Sequence, residues 1–316
     1  MNEKKILGRT LAPGLREKGY MAVEGTGISV PWALFGGDAD GPLAVITAGV
    51  HSAEFVGVQA AIELIGEFET ENLSGSVVIV PLCNRSGFEH RTVSMVYEDG
   101  KNLNRVFPGD PQGSAAERLA WALFDDIISK ADLYIDLHSG DQYETLFPYV
   151  YYLGDVPGEE KSRRMVECVN TPRCVRSRSH SGGAYNQAAL RGIPSVLIER
   201  GDRSRYTREQ VDADKADVRN ILCRFGVLEG EWTAFPKEEL REMDDDAPCT
   251  GCWYPATEPG ERFRSGDVLG EIRDYFGETI YTHRAGRDGV LLHRLSGLDV
   301  HEGDPLIAYG VPAETV

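Results

Sequence analysis

Pro42-Leu43-Ala44-Val45-Ile46-Thr47-Ala48-Gly49-Val50 is an uncharged apolar run, followed at once by His51-Ser52-Ala53-Glu54. A continuous apolar run, rather than an alternating one, marks a strand buried on both faces. Beyond it Phe55, Val58, Ala61, Ile62 and Ile65 recur at three- and four-residue steps, which predicts a helix over 53–68. The alternation returns downstream: strands over 77–80, 133–137 and 195–198, and helices over 115–128, 159–169, 185–190 and 211–225. A β-hairpin over 20–36 leads in. Strands alternating with helices imply an α/β fold, a largely parallel sheet with helices on both faces.

The pattern changes after residue 228. Residues 229–248 hold eight acids and two bases, including Asp244-Asp245-Asp246, and read as an exposed acidic connector. From 249 onward short β-rich pieces alternate with glycine turns such as Gly266-Asp267 and Gly303-Asp304, predicting a small all-β domain over 249–316. Residues 1–228 would then be the catalytic domain. The 316 residues carry a net charge of −17 and are 41% apolar. That composition supports a sizeable core and excludes a disordered chain. The acidity argues against broad binding of nucleic acid or anionic lipid. No apolar run is long enough to span a bilayer, and Met1 to Thr10 lacks the apolar stretch of a secretory leader, so a cytoplasmic location is expected. The six cysteines are scattered; Cys249-Thr250-Gly251-Cys252 reads as two ordinary thiols or as a redox or metal pair.

Four places carry chemistry. His51 and Glu54, at the end of the first buried strand, would share one face of an opening helical turn, so an imidazole and a carboxylate can meet one ion. His138, in Asp136-Leu137-His138-Ser139-Gly140 at another strand end, supplies a third ligand and leaves a fourth position open, as catalytic zinc sites do. Asp136, two residues away, shares its face and either backs the metal shell or is a solvated acid. Glu199 ends the strand 195–198; beside a metal-bound water it can act as a general base, and otherwise it would pair with Arg200 or Arg203. Last, Gly100-Lys101-Asn102-Leu103-Asn104-Arg105-Val106-Phe107-Pro108-Gly109 offers Arg105 as a bidentate carboxylate clamp with an adjacent amide donor. Arg91 upstream either steadies an oxyanion or forms a surface ion pair.

Together, His51-x-x-Glu54, Asn104-Arg105-x-Phe107-Pro108-Gly109, Asp136-x-His138 and Glu199 resemble the succinylglutamate desuccinylase/aspartoacylase family, within the zinc carboxypeptidase-like fold. The resemblance implies a three-layer fold with a central mixed sheet, and a tail like the barrel-sandwich domain of many relatives. It implies one Zn2+ per chain on His51, Glu54 and His138, with Glu199 as general base. Asn104 and Arg105 would bind the substrate carboxylate, and Arg91 would polarise the scissile carbonyl. Two departures stand out: Ser52 where relatives usually place a glycine, and Arg200 after Glu199 where many place a small or apolar residue.

From 171 to 208 the chain carries eight arginines against Glu199 and Asp202. Some of Arg176, Arg178, Arg203 and Arg205 are therefore expected to line the cleft with the loop Ser179-His180-Ser181-Gly182-Gly183, and to select an anionic substrate. The expected reaction is hydrolysis of the amide of an N-acylated amino acid. A short-peptide carboxypeptidase and a non-catalytic zinc module remain alternatives, and a homo-oligomer is allowed.

Overall fold

The structure, a computed structural model, describes residues 5–37 and 41–313. Residues 1–4 of the N-terminal stretch and 314–316 of the expected tail lie outside that range. A short pair, β1 (Lys5–Ile6) and β2 (Arg9–Thr10), precedes the expected hairpin, which is built from β3 (Arg16–Ala22) and β4 (Ser29–Gly36). The deciding stretch folds as read: all of β5 (Leu43–Ala48) is buried, and α1 (Phe55–Glu67) follows it. Next come β6 (Ser76–Val80), the short α2 (Arg85–His90), and α3 (Ala115–Asp126), which opens on a Ser114/Glu117 capping box. The wholly buried β7 (Leu133–His138) ends on the site histidine. Then β8 (Glu144–Leu146), β9 (Tyr149–Leu153), α4 (Glu159–Val166), β10 (Arg173–Ser177), α5 (Ala184–Leu190), β11 (Ser195–Glu199) and α6 (Arg208–Arg224) complete the α/β part.

The acidic stretch departs from its reading. Instead of an exposed connector, its second half forms a nine-residue strand, β12 (Glu238–Asp246). It pairs parallel to β10 through Arg173–Val175 and antiparallel to β19 (Pro305–Pro312), with Leu240 fully buried at the junction. Pairing on both sides satisfies a backbone that its charged side chains would leave in water. Between them lie β13 (Gly251–Pro255), β14 (Arg262–Phe263), β15 (Val268–Arg273), β16 (Thr279–Arg284), β17 (Gly289–Leu295) and β18 (Asp299–Val300).

One mixed sheet of 13 strands runs in the order β14-β17-β19-β12-β10-β9-β11-β7-β5-β6-β4-β3, with β8 added beside β17. Its centre is parallel except where β9 runs against β11. Apolar residues of α1, α4 and α6 cover one face, including Val58, Leu64, Met165 and Ile221. Those of α3 and α5, with Leu119, Leu123 and Ala188, cover the other. The four-stranded sheet β16-β15-β13-β18 closes over its own core around Trp253, Ile272 and Leu306. Because β12, β17 and β19 continue the large sheet, the C-terminal strands stand beside the strand ends of the α/β part.

Candidate active site

The carboxyl ends of β5, β7 and β11 lie side by side, and there the first, second and third candidate places meet. His51 and Glu54 sit in the turn before α1 rather than on its first helical turn. Glu54 is the residue preceding the helix, and its N–H donates to the His51 carbonyl at 3.3 Å. The turn lets both side chains face β7. Gly57 makes that approach possible, since a Cβ there would stand 2.6 Å from Leu137 Cβ.

Both imidazoles address the one carboxylate. His51 Nδ1 lies 2.6 Å from Glu54 Oε1, and His138 Nδ1 lies 2.8 Å from Glu54 Oε2, which also accepts the Ser139 N–H at 3.0 Å. The far ring nitrogens face acceptors. His51 Nε2 is 3.2 Å from Asn102 Oδ1, an oxygen that already takes the Asn104 N–H, so Nε2 is the donor. His138 Nε2 is 3.3 Å from Asp136 Oδ2, while Asp136 Oδ1 accepts from Thr47, whose hydroxyl also meets Tyr134. With Nε2 protonated, the neutral tautomer of each ring turns a lone pair toward Glu54. Contacts this short between ring nitrogen and carboxylate are bridged by a proton on Nδ1 or, when a metal binds, by the ion that displaces it. This donor set, two imidazoles and a carboxylate, with Asn102 accepting from His51, Asp136 beside His138 and the Ser139 N–H on Glu54, fits zinc. The charges agree. Burial acts to raise the Glu54 carboxyl, but His138 and then His51 outweigh it and hold it at about 2. For His138, burial acts downward, and Glu54 and Asp136 together push it well above the usual range.

Glu199 stands next to this group. In the parallel β11–β7 pair it is the register partner of His138, and across the antiparallel β11–β9 pair it faces Tyr149. Burial first, then the neighbouring Glu54, push its carboxyl well above the ordinary value. Its sequence neighbour Arg200 is not its partner. Successive strand residues point to opposite faces, and Arg200 goes down to α6, where it is buried between Asp214 and Asp217. Arg203 meets Asp202 instead.

His51, Glu54, His138 and Glu199 line one cavity of about 510 Å³ together with Asn104 and Arg105. Asn104 is buried, and its Oδ1 accepts the N–H of Ala184, tying the 103–105 turn to the start of α5. Arg105 is more exposed, with one Nη donating to the Asn104 carbonyl. The loop before α5 lies directly on it: a Cβ at Gly182 would stand 2.1 Å from the Arg105 oxygen. Ser179 and Ser181 of that loop line the cavity, whereas His180 is exposed.

The other arginines go elsewhere, and Arg176, Arg178 and Arg203 meet acids outside the cavity. Arg178 is 59% exposed and pairs with Asp155, and Arg203 is 49% exposed beside Asp202. Arg176 is held by Asp155 and Glu159, and Arg205 is exposed and outside the lining. Arg91 ends α2 in a left-handed conformation and faces a neighbouring cavity with Ser52, Phe55, Phe88 and Gln142. The expected arginine-lined cleft is thus not what the chain builds. Among the described residues, Arg105 is the one arginine or lysine lining the cavity, against six carboxylates: Glu54, Glu144, Glu199, Glu242, Asp244 and Asp246.

Four of these acids (Glu144, Glu242, Asp244 and Asp246), with His293 and the tyrosines 149, 151 and 185, escaped the sequence reading. The signal was present: Glu242, Asp244 and Asp246 alternate, which puts them on one face if the stretch is a strand. Cys249 and Cys252 are half-buried free thiols away from this cavity. Among the described residues no helix is long and apolar enough to cross a membrane.

Known proteins resemble this chain over most of its length. Residues 40–224 match the model of the succinylglutamate desuccinylase/aspartoacylase catalytic domain. A deacetylase of N-alpha-acetyl-L-2,4-diaminobutyric acid from Halomonas elongata is 28% identical over 291 residues, covering 88% of this chain and 84% of its own. The product-bound structure of the ectoine utilization protein EutE (DoeB) from Ruegeria pomeroyi superposes with a TM-score of 0.83 at 25% identity, covering 93% of each chain. A succinylglutamate desuccinylase/aspartoacylase from Rhodobacter sphaeroides gives 0.83 at 25%, covering 94% of this chain and 96% of that one.

Proposed function

This chain belongs to the succinylglutamate desuccinylase/aspartoacylase family, and from that membership we propose that it is a zinc-dependent deacylase that hydrolyses the amide bond of a small N-acylated amino acid. The observation that carries the reading is the convergence of two imidazoles on the Glu54 carboxylate with Glu199 in register beside His138. His51, Glu54 and His138 would hold the metal. Bound there, zinc lowers the pKa of a water to about 7 and polarises a carbonyl.

The chain's own groups supply the rest. Glu199, set beside His138 by strand register, takes a proton from the attacking water as a carboxylate and hands it to the departing nitrogen. Arg105 clamps the α-carboxylate of the substrate, and Asn104 holds the turn that presents it. Asn102 accepts from His51 Nε2 and so favours the tautomer that ligates, and Asp136 stands 3.3 Å from His138 Nε2 as its charged neighbour. The cavity is of the size that suits a small ligand rather than a polypeptide. The Halomonas relative, by its name, removes an acetyl group from such a substrate. This favours deacylation over peptide cleavage.

A panel of N-acyl amino acids and dipeptides, assayed with zinc and after chelation, tests the reading. Zinc-dependent release of free amino acid from the former is expected. Exclusive cleavage of dipeptides would overturn it in favour of a carboxypeptidase.

A further inference from the structure

Resting on the deacylase reading, we propose that the Tyr149 hydroxyl accepts the hydrogen of the scissile amide N–H and so turns the nitrogen toward Glu199. Tyr151 and Glu242 would be the positioning residues that keep this hydroxyl an acceptor. The three lie on β9 and β12, outside the motifs that carry the family resemblance.

Strand direction sets the placement. β9 runs against β11, and the antiparallel register puts Tyr149 directly opposite Glu199 and Tyr151 opposite Leu197. Directly opposed residues of an antiparallel pair send their side chains to one face, with Cβ atoms about 5 Å apart. Tyr149 and Glu199 accordingly line the same cavity. A nitrogen that takes its proton from Glu199 therefore lies next to Tyr149, which is only 1% exposed and so is shielded from bulk water.

Hydrogen bonding sets the polarity of that hydroxyl. The Tyr151 hydroxyl donates to Glu242 Oε1, and the Tyr149 and Tyr151 hydroxyl oxygens are 3.4 Å apart. A phenol has one hydrogen. With the Tyr151 hydrogen directed to Glu242, the shared bond is made by the Tyr149 hydrogen, and the Tyr149 lone pairs are left for a donor in the cavity. Burial first, then Asp244, raise the Glu242 carboxyl to about 8. A proton carried on Oε2 still leaves Oε1 as the acceptor of Tyr151. The rings are fixed as well: Tyr151 meets Tyr149 edge-on at 5.1 Å and stacks on Tyr185 at 6.1 Å.

An acceptor at this point answers a need of the reaction. A planar amide delocalises its nitrogen lone pair into the carbonyl, and the pair is released only as attack makes the carbon tetrahedral. With its N–H held by Tyr149, the nitrogen presents that pair to the proton on Glu199. The C–N bond then breaks and its electrons stay with the departing amine. An ester has no such hydrogen, so the contact distinguishes amide from ester.

The decisive comparison pairs an N-acetyl-L-amino acid with its more labile ester counterpart, the O-acetyl-2-hydroxy acid of the same side chain. With the zinc-loaded full chain, Tyr149→Phe should lower kcat/KM for the amide by about three- to tenfold, the size of one hydrogen bond, and leave the ester within about twofold. Tyr151→Phe frees the Tyr149 hydrogen to turn toward the substrate and should lower the same amide-to-ester ratio. That variant decides the matter if Tyr149→Phe does not fold. A role confined to packing would depress both substrates alike. Equal losses on amide and ester, or no loss on the amide, overturn the acceptor assignment and leave the deacylase standing. Absence of zinc-dependent amide hydrolysis in the wild type overturns both.

Discussion

His138 and Glu199 are register partners at the carboxyl ends of adjacent parallel strands, so that the histidine that would hold the metal and the carboxylate that would move the proton are fixed by the same backbone ladder. Strand pairing, not loop conformation, sets their separation. Side chains on rigid elements keep catalytic geometry better than those on loops. Arg200, the residue that follows, locks the end of β11 from the opposite face.

That anchor is open to direct test. Arg200→Ala leaves Asp214 and Asp217 buried without their cation, which typically costs about 3–5 kcal/mol. Urea unfolding should show a loss of that order. A change under about 1 kcal/mol would mean that the two acids find other partners.

Glu54 is shared by both histidines, so Glu54→Ala should remove metal rather than only slow the reaction. Bound zinc, measured by elemental analysis after gel filtration, should fall from about one per chain to near zero. The wild type should also lose thermal stability on chelation and regain it with zinc, because a ligand of the native state stabilises it.

In the proposed mechanism Arg105 is the clamp and the outlying arginines are not. Arg105→Lys loses the bidentate fork and should raise KM by roughly 10- to 100-fold. Arg178→Ala and Arg203→Ala should stay within about twofold of the wild type, since both side chains are half-exposed and face acids outside the cavity. Large KM effects at either would restore the arginine-lined cleft.

Much of the candidate site was legible in the sequence because its candidate ligands follow buried strands. The apolar runs 42–50, 133–137 and 195–198 announce β5, β7 and β11, and His51, His138 and Glu199 stand just beyond or at their ends. The helices α1, α3 and α6 were legible from periodicity, with ends displaced by a few residues. β12 was not. It holds two apolar residues among acids and bases, and it is a strand because β10 and β19 pair with it on both sides, an influence no local window contains. The destinations of the arginines were hidden for the same reason. Arg200 finds Asp214 and Asp217, and Arg208 finds Glu63 at 2.8 Å, partners set by how α6 packs against α1.

The central claim is that Glu199 moves the proton at a metal held by His51, Glu54 and His138. It is tested most directly by Glu199→Gln, with bound zinc and kcat for an N-acetyl amino acid measured on the same preparation. Zinc should remain at about one per chain while kcat falls by roughly 10²- to 10⁴-fold. Full zinc occupancy with undiminished kcat would contradict the assignment.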